Sequence, residues 1–140
     1  MFNHVLSNIQ WLHVIVAAIA YFALGAVWYS PALFSKQWVK LVNIDISDPN
    51  AKKGMGLLFA KTFILIIITS AGLAIFQQIL PAIDALGGLK LGLLIGVTLV
   101  STSISINYLY TKKPIALFLI DCGYHILGIA IASAIIAGWH

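Results

Sequence analysis

Four long apolar runs constrain this chain more than any other feature of its sequence. They cover residues 9–29, 55–80, 89–110 and 114–139. A helix needs about 20 consecutive apolar residues to cross the hydrocarbon core of a bilayer. The runs are continuous rather than alternating, so membrane strands are not indicated. We therefore predict an all-α integral membrane protein, with four transmembrane helices in one bundle and a single domain over residues 1–140.

The composition excludes a soluble fold. Of the 140 residues, 61% are hydrophobic and 9% are charged, and the mean hydropathy is +1.03. Soluble domains carry roughly 25% charged residues, and large exposed apolar patches drive aggregation. The lone Cys122 excludes an intrachain disulfide and lies in an apolar run, which indicates a structural cysteine. We interpret the net charge of +4 as a topology signal and expect no nucleic-acid partner.

The lysines are distributed asymmetrically. A predicted polar loop, residues 30–53, and a tight turn, residues 111–114, lie on one side of the membrane. They hold six lysines, namely Lys36, Lys40, Lys52, Lys53, Lys112 and Lys113. The other side, with a predicted turn region at residues 81–88, has only Lys90. Because positive loops stay cytoplasmic, we predict a multi-pass protein with both termini outside. No Lys or Arg precedes the first run, so we do not expect a cleaved signal peptide.

The fourth run carries two ionisable residues, Asp121 and His125, one helical turn apart. His125 should lie near the middle of the membrane, with Asp121 about 6 Å closer to the cytoplasm on the same face. A charge at mid-membrane costs at least about 2.5 kcal/mol, so Asp121 should face the bundle interior or water. We expect the two side chains to share a hydrogen bond, directly or through water, and to titrate as one unit. Such a pair either handles protons or ions, or belongs to a structural network that fixes helix register.

Other polar side chains fall in the same inner half of the membrane, namely Lys61, Asn107 and Tyr29. Lys61 either supplies the opposite charge to Asp121 or extends its long stem back to the headgroups. We take these three residues, together with Tyr124, as further candidates for a pathway or binding site.

Small residues recur every four positions in the third run, at Gly88, Gly92 and Gly96, and Ser103 and Asn107 continue this face. Small residues let helices approach closely in lipid, so this face should make a close helix contact. The opposite face carries hydroxyl groups, on Thr98, Ser101, Thr102 and Ser105. A helix that is small on both faces packs on both, and we predict that one of them contacts a second subunit in a homo-oligomer. The alternative is that both faces pack inside one subunit.

Motifs for cofactor chemistry are absent from the sequence. No glycine-rich nucleotide loop follows a strand, and no His-x-x-Glu-His or Cys-x-x-Cys signature occurs. His4, His13 and His140 are too widely spaced to argue for a metal site. We therefore predict neither a metal nor a cofactor, and membrane lipid as the partner of the basic loops.

Two segments carry a family resemblance, LGAVWYSPALFSKQW at residues 24–38 and NYLYTKKPIALFLIDCGYHILG at residues 107–128. The pattern of the first comprises Gly25, Trp28, Tyr29, Ser30, Pro31, Phe34, Lys36 and Trp38, and that of the second comprises Asn107, Tyr108, Leu109, Gly123, Tyr124 and His125. This pattern resembles the domain of unknown function 1761 family of small bacterial membrane proteins. The resemblance implies the same four-helix layout over the whole chain and a bacterial inner membrane location, but no activity.

Three functions remain open from the sequence. The first is a small proton- or ion-coupled transporter or channel with Asp121 and His125 on its pathway. The second is a non-transporting membrane module that binds lipid or a protein partner through the segment of residues 28–38. The third is a membrane-embedded enzyme with His125 as base, which we do not favour because no nucleophile or metal set accompanies the histidine. A hydrated path to Asp121 would support transport, whereas a sealed network would support the module.

Overall fold

The structure is a computed structural model that describes residues 2–80, 82 and 84–139. Its helices are α1 (Phe2–Ser7), α2 (Trp11–Trp28), α3 (Ser35–Val42), α4 (Met55–Ile79), α5 (Ala85–Ile95), α6 (Ser101–Tyr110) and α7 (Ile115–Gly138). A π-helical turn, Gly96–Val100, joins α5 and α6 into one continuous span. Four segments are long and apolar enough to cross a membrane: α2, α4, α5 with α6, and α7. The predicted four-helix membrane bundle is confirmed.

Helix α7 forms the centre of the bundle. It packs against α5, α2 and α4, and it also contacts α3 and α6. Half of the residues in its most apolar 18-residue stretch are buried (50%), compared with 17–22% in the corresponding stretches of the other three spans. The outer surface carries exposed apolar side chains such as Leu65, Leu94 and Leu119, which suits contact with lipid. The residues of α7 are therefore the best placed to hold polar groups away from the hydrocarbon.

The third span begins earlier than predicted. Asp84 Oδ1 accepts a hydrogen bond from the backbone amide of Gly87 at 2.7 Å. This N-cap starts α5 at Ala85. The prediction of a turn over residues 81–88, with the span starting at 89, is therefore wrong for residues 85–88. The other span boundaries lie within two residues of those predicted.

The predicted polar loop of residues 30–53 contains a helix, α3. Helix α2 ends just before Ser30–Pro31, because the residue preceding a proline disfavours the helical conformation. The chain then turns, and α3 ends at Val42, followed by the C-cap Asn43, whose left-handed φ of 60° is typical of a helix C-terminus. The remainder of the segment, residues 44–54, connects α3 to α4 without a regular element.

The π-helical turn changes which residues of the third span face α7. Ser101 Oγ donates to the backbone oxygen of Gly96 at 2.8 Å, five residues earlier. One extra residue in a turn rotates the helix that follows by about 100°. As a result, Ser101 is buried and Ser105 is half-buried, whereas Ser103 and Asn107 are exposed. The predicted assignment of these four residues to the two faces is therefore wrong, because it assumed an uninterrupted α-helix.

The glycine face of α5 packs directly on α7. A Cβ atom at Gly92 would lie 2.7 Å from Cα of Ala130 and 2.7 Å from the backbone oxygen of Ile129. At Gly88 and Gly96, a Cβ atom would likewise meet the α7 backbone at 3.0 Å or less. The predicted close helix contact is confirmed, and it is made within the chain.

Candidate functional site

A single carboxylate, that of Asp121, joins four elements at one end of the bundle. Asp121 lies in α7 and is only 9% exposed. Its Oδ1 accepts hydrogen bonds from the Tyr29 hydroxyl at 2.6 Å and from Trp38 Nε1 at 3.1 Å. Its Oδ2 accepts from the Tyr108 hydroxyl at 2.5 Å. Tyr29 directly follows α2, Trp38 lies in α3 and Tyr108 lies in α6. We call Asp121 and its three donors, Tyr29, Trp38 and Tyr108, the carboxylate clamp.

The turn between α2 and α3 positions two of the three donors. The backbone amide of Phe34 donates to the backbone oxygen of Trp28 at 3.1 Å, which folds the chain back on itself. Trp28 Nε1 donates to the backbone oxygen of Ile120 at 3.0 Å. Its indole ring packs against Phe34 with ring centroids 4.8 Å apart. The segment is therefore attached to α7 at two consecutive residues, Ile120 and Asp121.

The third donor, Tyr108, depends on the π-helical turn. Beyond that turn, Ser101, Ser105 and Tyr108 follow the i, i+4, i+7 spacing of one helix face. The sequence prediction placed Asn107 on the glycine face and Ser101 and Ser105 on the opposite one, whereas the structure shows Asn107 exposed. Tyr108 was missed as a site residue. Its one signal was its position beside Asn107 in the family-like segment.

His125 has a different hydrogen-bond partner from Asp121. Its Nδ1 lies 2.5 Å from the Tyr21 hydroxyl of α2. Within the described chain, no hydrogen bond joins His125 directly to Asp121, so the direct form of the predicted bond is wrong and the form through water stays a prediction. Three donors from other elements bind the two carboxylate oxygens, while the Tyr21 hydroxyl is the partner of His125. Tyr21 is a second site residue that the sequence alone did not assign.

Tyr124 packs against the tyrosine partner of each of these two polar groups. Its ring lies edge-on to Tyr21 at 5.3 Å and to Tyr29 at 5.4 Å between centroids, and 4.9 Å from the ring of His125. The Tyr124 hydroxyl donates to the backbone oxygen of Tyr21 at 3.3 Å. Gly25 makes room for it, since a Cβ there would lie 2.8 Å from that hydroxyl oxygen. The candidate Tyr124 is thus a buried aromatic residue that contacts Tyr29, a partner of Asp121, and Tyr21, the partner of His125.

Lys61 lies outside this cluster. It is exposed on α4, a helix that contributes no donor to Asp121 among the described residues. The hypothesis that Lys61 pairs with Asp121 is therefore wrong. Its exposure fits the alternative, in which the long stem reaches the headgroup region. The partners that Asp121 does have are neutral phenol and indole groups.

Asp121 and Tyr21 are buried, whereas Tyr29, Trp38, Tyr108 and His125 are half-buried. A groove of about 530 Å³ lies between α5 and α7, lined by Ala85, Leu89, Ile131, Ala134, Ile135, Gly138 and Trp139. Its lining on α7 reaches Gly138, about 26 Å along the helix from Asp121, so it opens toward the other end of the bundle. In the part of the chain that the structure describes, no group of three or more His, Cys, Asp or Glu could hold a metal ion.

A comparison with protein families gives one match. The family model described as "Protein of unknown function (DUF1761)" matches residues 12–137. The match covers both segments that resembled this family in sequence, and it includes every member of the carboxylate clamp. Neither the curated proteins nor the solved structures contain a significant match to the chain.

Proposed function

This chain belongs to the family described as Protein of unknown function (DUF1761), and we propose that it is a non-transporting membrane module. In this proposal the carboxylate clamp fixes α3 at the membrane surface, where the segment presents a binding face. The observation that carries the proposal is that one buried carboxylate accepts three hydrogen bonds from three other elements. Ionisable groups on a transport pathway line a water-filled cavity or the bundle interior, where the transported ion or proton can reach them. Asp121 instead has both oxygens occupied by side chains that belong to the fold.

The two faces of α3 support an interfacial position. Trp38 and Val39 are half-buried toward the bundle, whereas Lys36, Gln37 and Lys40 are exposed. A helix with an aromatic residue on its apolar face and lysines on its polar face lies in the plane of the membrane interface. The clamp then sets the angle and depth of this helix, since Trp38 is bonded to α7.

The proposal is tested by replacing Asp121 with Asn. The amide keeps the size of the side chain but offers one acceptor oxygen in place of two, so the three donors cannot all be satisfied. We expect faster hydrogen exchange at the backbone amides of α3 in lipid nanodiscs, with no change in α5. The matched control is Asp48→Asn, because Asp48 is exposed and, among the described residues, its carboxylate accepts only from the nearby backbone amide of Asn50. Unchanged exchange in α3 of the Asp121 variant would overturn the clamp.

Transport is the second candidate, and one observation favours it. Asp121 has no cationic partner among the described residues, and an intramembrane acid without a counter-charge is typical of proton relays. Purified protein in liposomes should conduct neither protons nor small cations if the module hypothesis is correct. A proton flux that is present in the parent protein and lost in Asp121→Asn would favour transport instead.

A further inference from the structure

The exposed face of α3 concentrates positive charge. Lys36 and Lys40 are exposed one turn apart, at i and i+4, with Gln37 between them. Side chains at this spacing are neighbours on a helix surface, and two like charges there destabilise the helix. An anion between the two ammonium groups would remove the repulsion and could also accept a hydrogen bond from Gln37.

The acids on this side of the protein do not neutralise the two lysines. Asp45 accepts from the hydroxyl of Ser47 at 2.5 Å and from its backbone amide at 2.9 Å. These two bonds lower the pKa of the exposed Asp45 carboxyl, so it stays charged within its own turn. Asp48 likewise accepts from the backbone amide of Asn50 at 2.9 Å. Each carboxylate is held by its own loop, which leaves the positive face of α3 available.

Exposed apolar side chains lie just beyond both ends of α3. Leu33 precedes α3 and is 47% exposed, and Ile44 follows it and is 46% exposed. The end of α2 and the start of α3 are separated only by residues 29–34, so α3 lies close to the end of a membrane span. A ligand that contacts the lysines and these two residues together has a negative headgroup and apolar chains. A free phosphate ion would account for the lysines alone.

We propose that the Lys36–Lys40 face of α3 binds the phosphate of an anionic phospholipid, with Leu33 and Ile44 against its acyl chains. This inference rests on the proposed function, because the clamp is what holds α3 in place. Basic residues at a membrane surface favour anionic lipid by about fivefold each, which corresponds to ~1 kcal/mol. Together, the two lysines should give a preference of roughly 25-fold over a zwitterionic lipid.

The experiment uses quenching of tryptophan fluorescence by brominated lipids. In a Trp11→Phe/Trp139→Phe background, the remaining fluorescence comes from Trp28 and Trp38, which lie at the α3 end. We expect brominated phosphatidylglycerol to quench at far lower mole fraction than brominated phosphatidylcholine. Lys36→Gln/Lys40→Gln should remove most of this preference. Lys52→Gln/Lys53→Gln, which removes the same charge from the exposed connection before α4, should keep most of it.

Each outcome bears on the inference. Equal quenching by the two lipids would overturn it, because the protein would then show no preference for the anionic lipid. An equal loss of this preference in the Lys52/Lys53 variant would also overturn it, because the preference would then depend on total charge and not on the two lysines of α3. If inorganic phosphate at physiological ionic strength abolishes the preferential quenching by brominated phosphatidylglycerol, the ligand is free phosphate. That result would also overturn the inference. Hydrogen exchange of α3 in Asp121→Asn reports on the clamp alone. If that exchange accelerates while the parent shows no lipid preference, this inference fails and the proposed function stands.

Discussion

At the scale of single residues, Asp121 shows how this fold holds an acid inside a membrane segment with no cationic partner among the residues that the structure describes. Burial of an unpaired carboxylate is costly, and removal of one partner from a buried charged group is more damaging than the mean strength of the bond suggests. Two phenol hydroxyls and one indole N–H take the place of a basic residue. Hydrogen bonds to charged acceptors are about twice as strong as neutral ones. Removal of any one donor of the clamp should therefore lower the free energy of unfolding.

Tyr108→Phe tests this expectation. The change removes the only donor to Asp121 Oδ2 among the described residues and leaves that oxygen buried. We expect a loss of about 1–3 kcal/mol in the free energy of unfolding, measured in mixed detergent micelles. Tyr110→Phe is the matched control, because Tyr110 is 86% exposed and its variant should stay within about 0.5 kcal/mol of the parent. Equal stability of the two variants would contradict the role given to Tyr108.

At the scale of elements, the third span combines two packing devices. Its first half approaches α7 through glycines, and its second half is rotated by the π-helical turn so that Ser101 and Tyr108 face inward. Such turns inside α-helices are frequent at functional sites. Here the rotation completes the clamp, because it turns Tyr108 toward Asp121 and Asn107 outward.

A pair of glycine variants tests the close contact between α5 and α7. Gly92→Ala places a Cβ 2.7 Å from backbone atoms of α7, so the helices must move apart. We expect a loss of about 1–3 kcal/mol in unfolding free energy, as for other overpacked cores. Gly72→Ala is the control, since nothing lies within 4 Å of the added Cβ. It should be neutral or should stabilise α4 by up to about 1 kcal/mol. A tolerated Gly92→Ala would mean that this helix contact is looser than the structure shows.

At the scale of the whole molecule, the antiparallel spans bring the clamp, α3 and six of the eight lysines to one end of the bundle. Asn3 lies at the opposite end, before α2. The orientation of this axis in the membrane stays a prediction from the lysine distribution. The homo-oligomer also stays a prediction. The glycine face of the third span already packs within the chain. A contact between subunits through this span would therefore use its exposed surface, which carries Thr98, Thr102 and Ser103.

The orientation is tested by cysteine labelling in a Cys122→Ala background. Lys52→Cys and Asn3→Cys are both at exposed positions. An impermeant thiol reagent should label the cysteine at position 3 in intact cells, and the one at position 52 only after permeabilisation. Labelling in the reverse pattern would place the clamp and α3 on the outer side.

The sequence by itself determined the class of protein and most of the helix boundaries. Continuous apolar runs of sufficient length have one solution in a bilayer, because the backbone must be satisfied within each segment. It also identified Asp121, Trp28, Tyr29 and Trp38, since a buried acid in a membrane span is rare and these aromatic residues belong to a recognisable segment. The small-residue period predicted the close packing of Gly92 for the same local reason.

Only the tertiary structure decided which of these residues meet. The π-helical turn has no separate signal in the sequence, so the fixed 3.6-residue period selected Asn107 in place of Tyr108. The neighbouring positions of Asp121 and His125 suggested one shared bond, yet each side chain found a partner on another helix. The sequence did not predict α3 within the polar segment, because an isolated helix of eight residues is only marginally stable. It is stable in this fold because Trp38 is bonded to a carboxylate that lies 83 positions away in the chain.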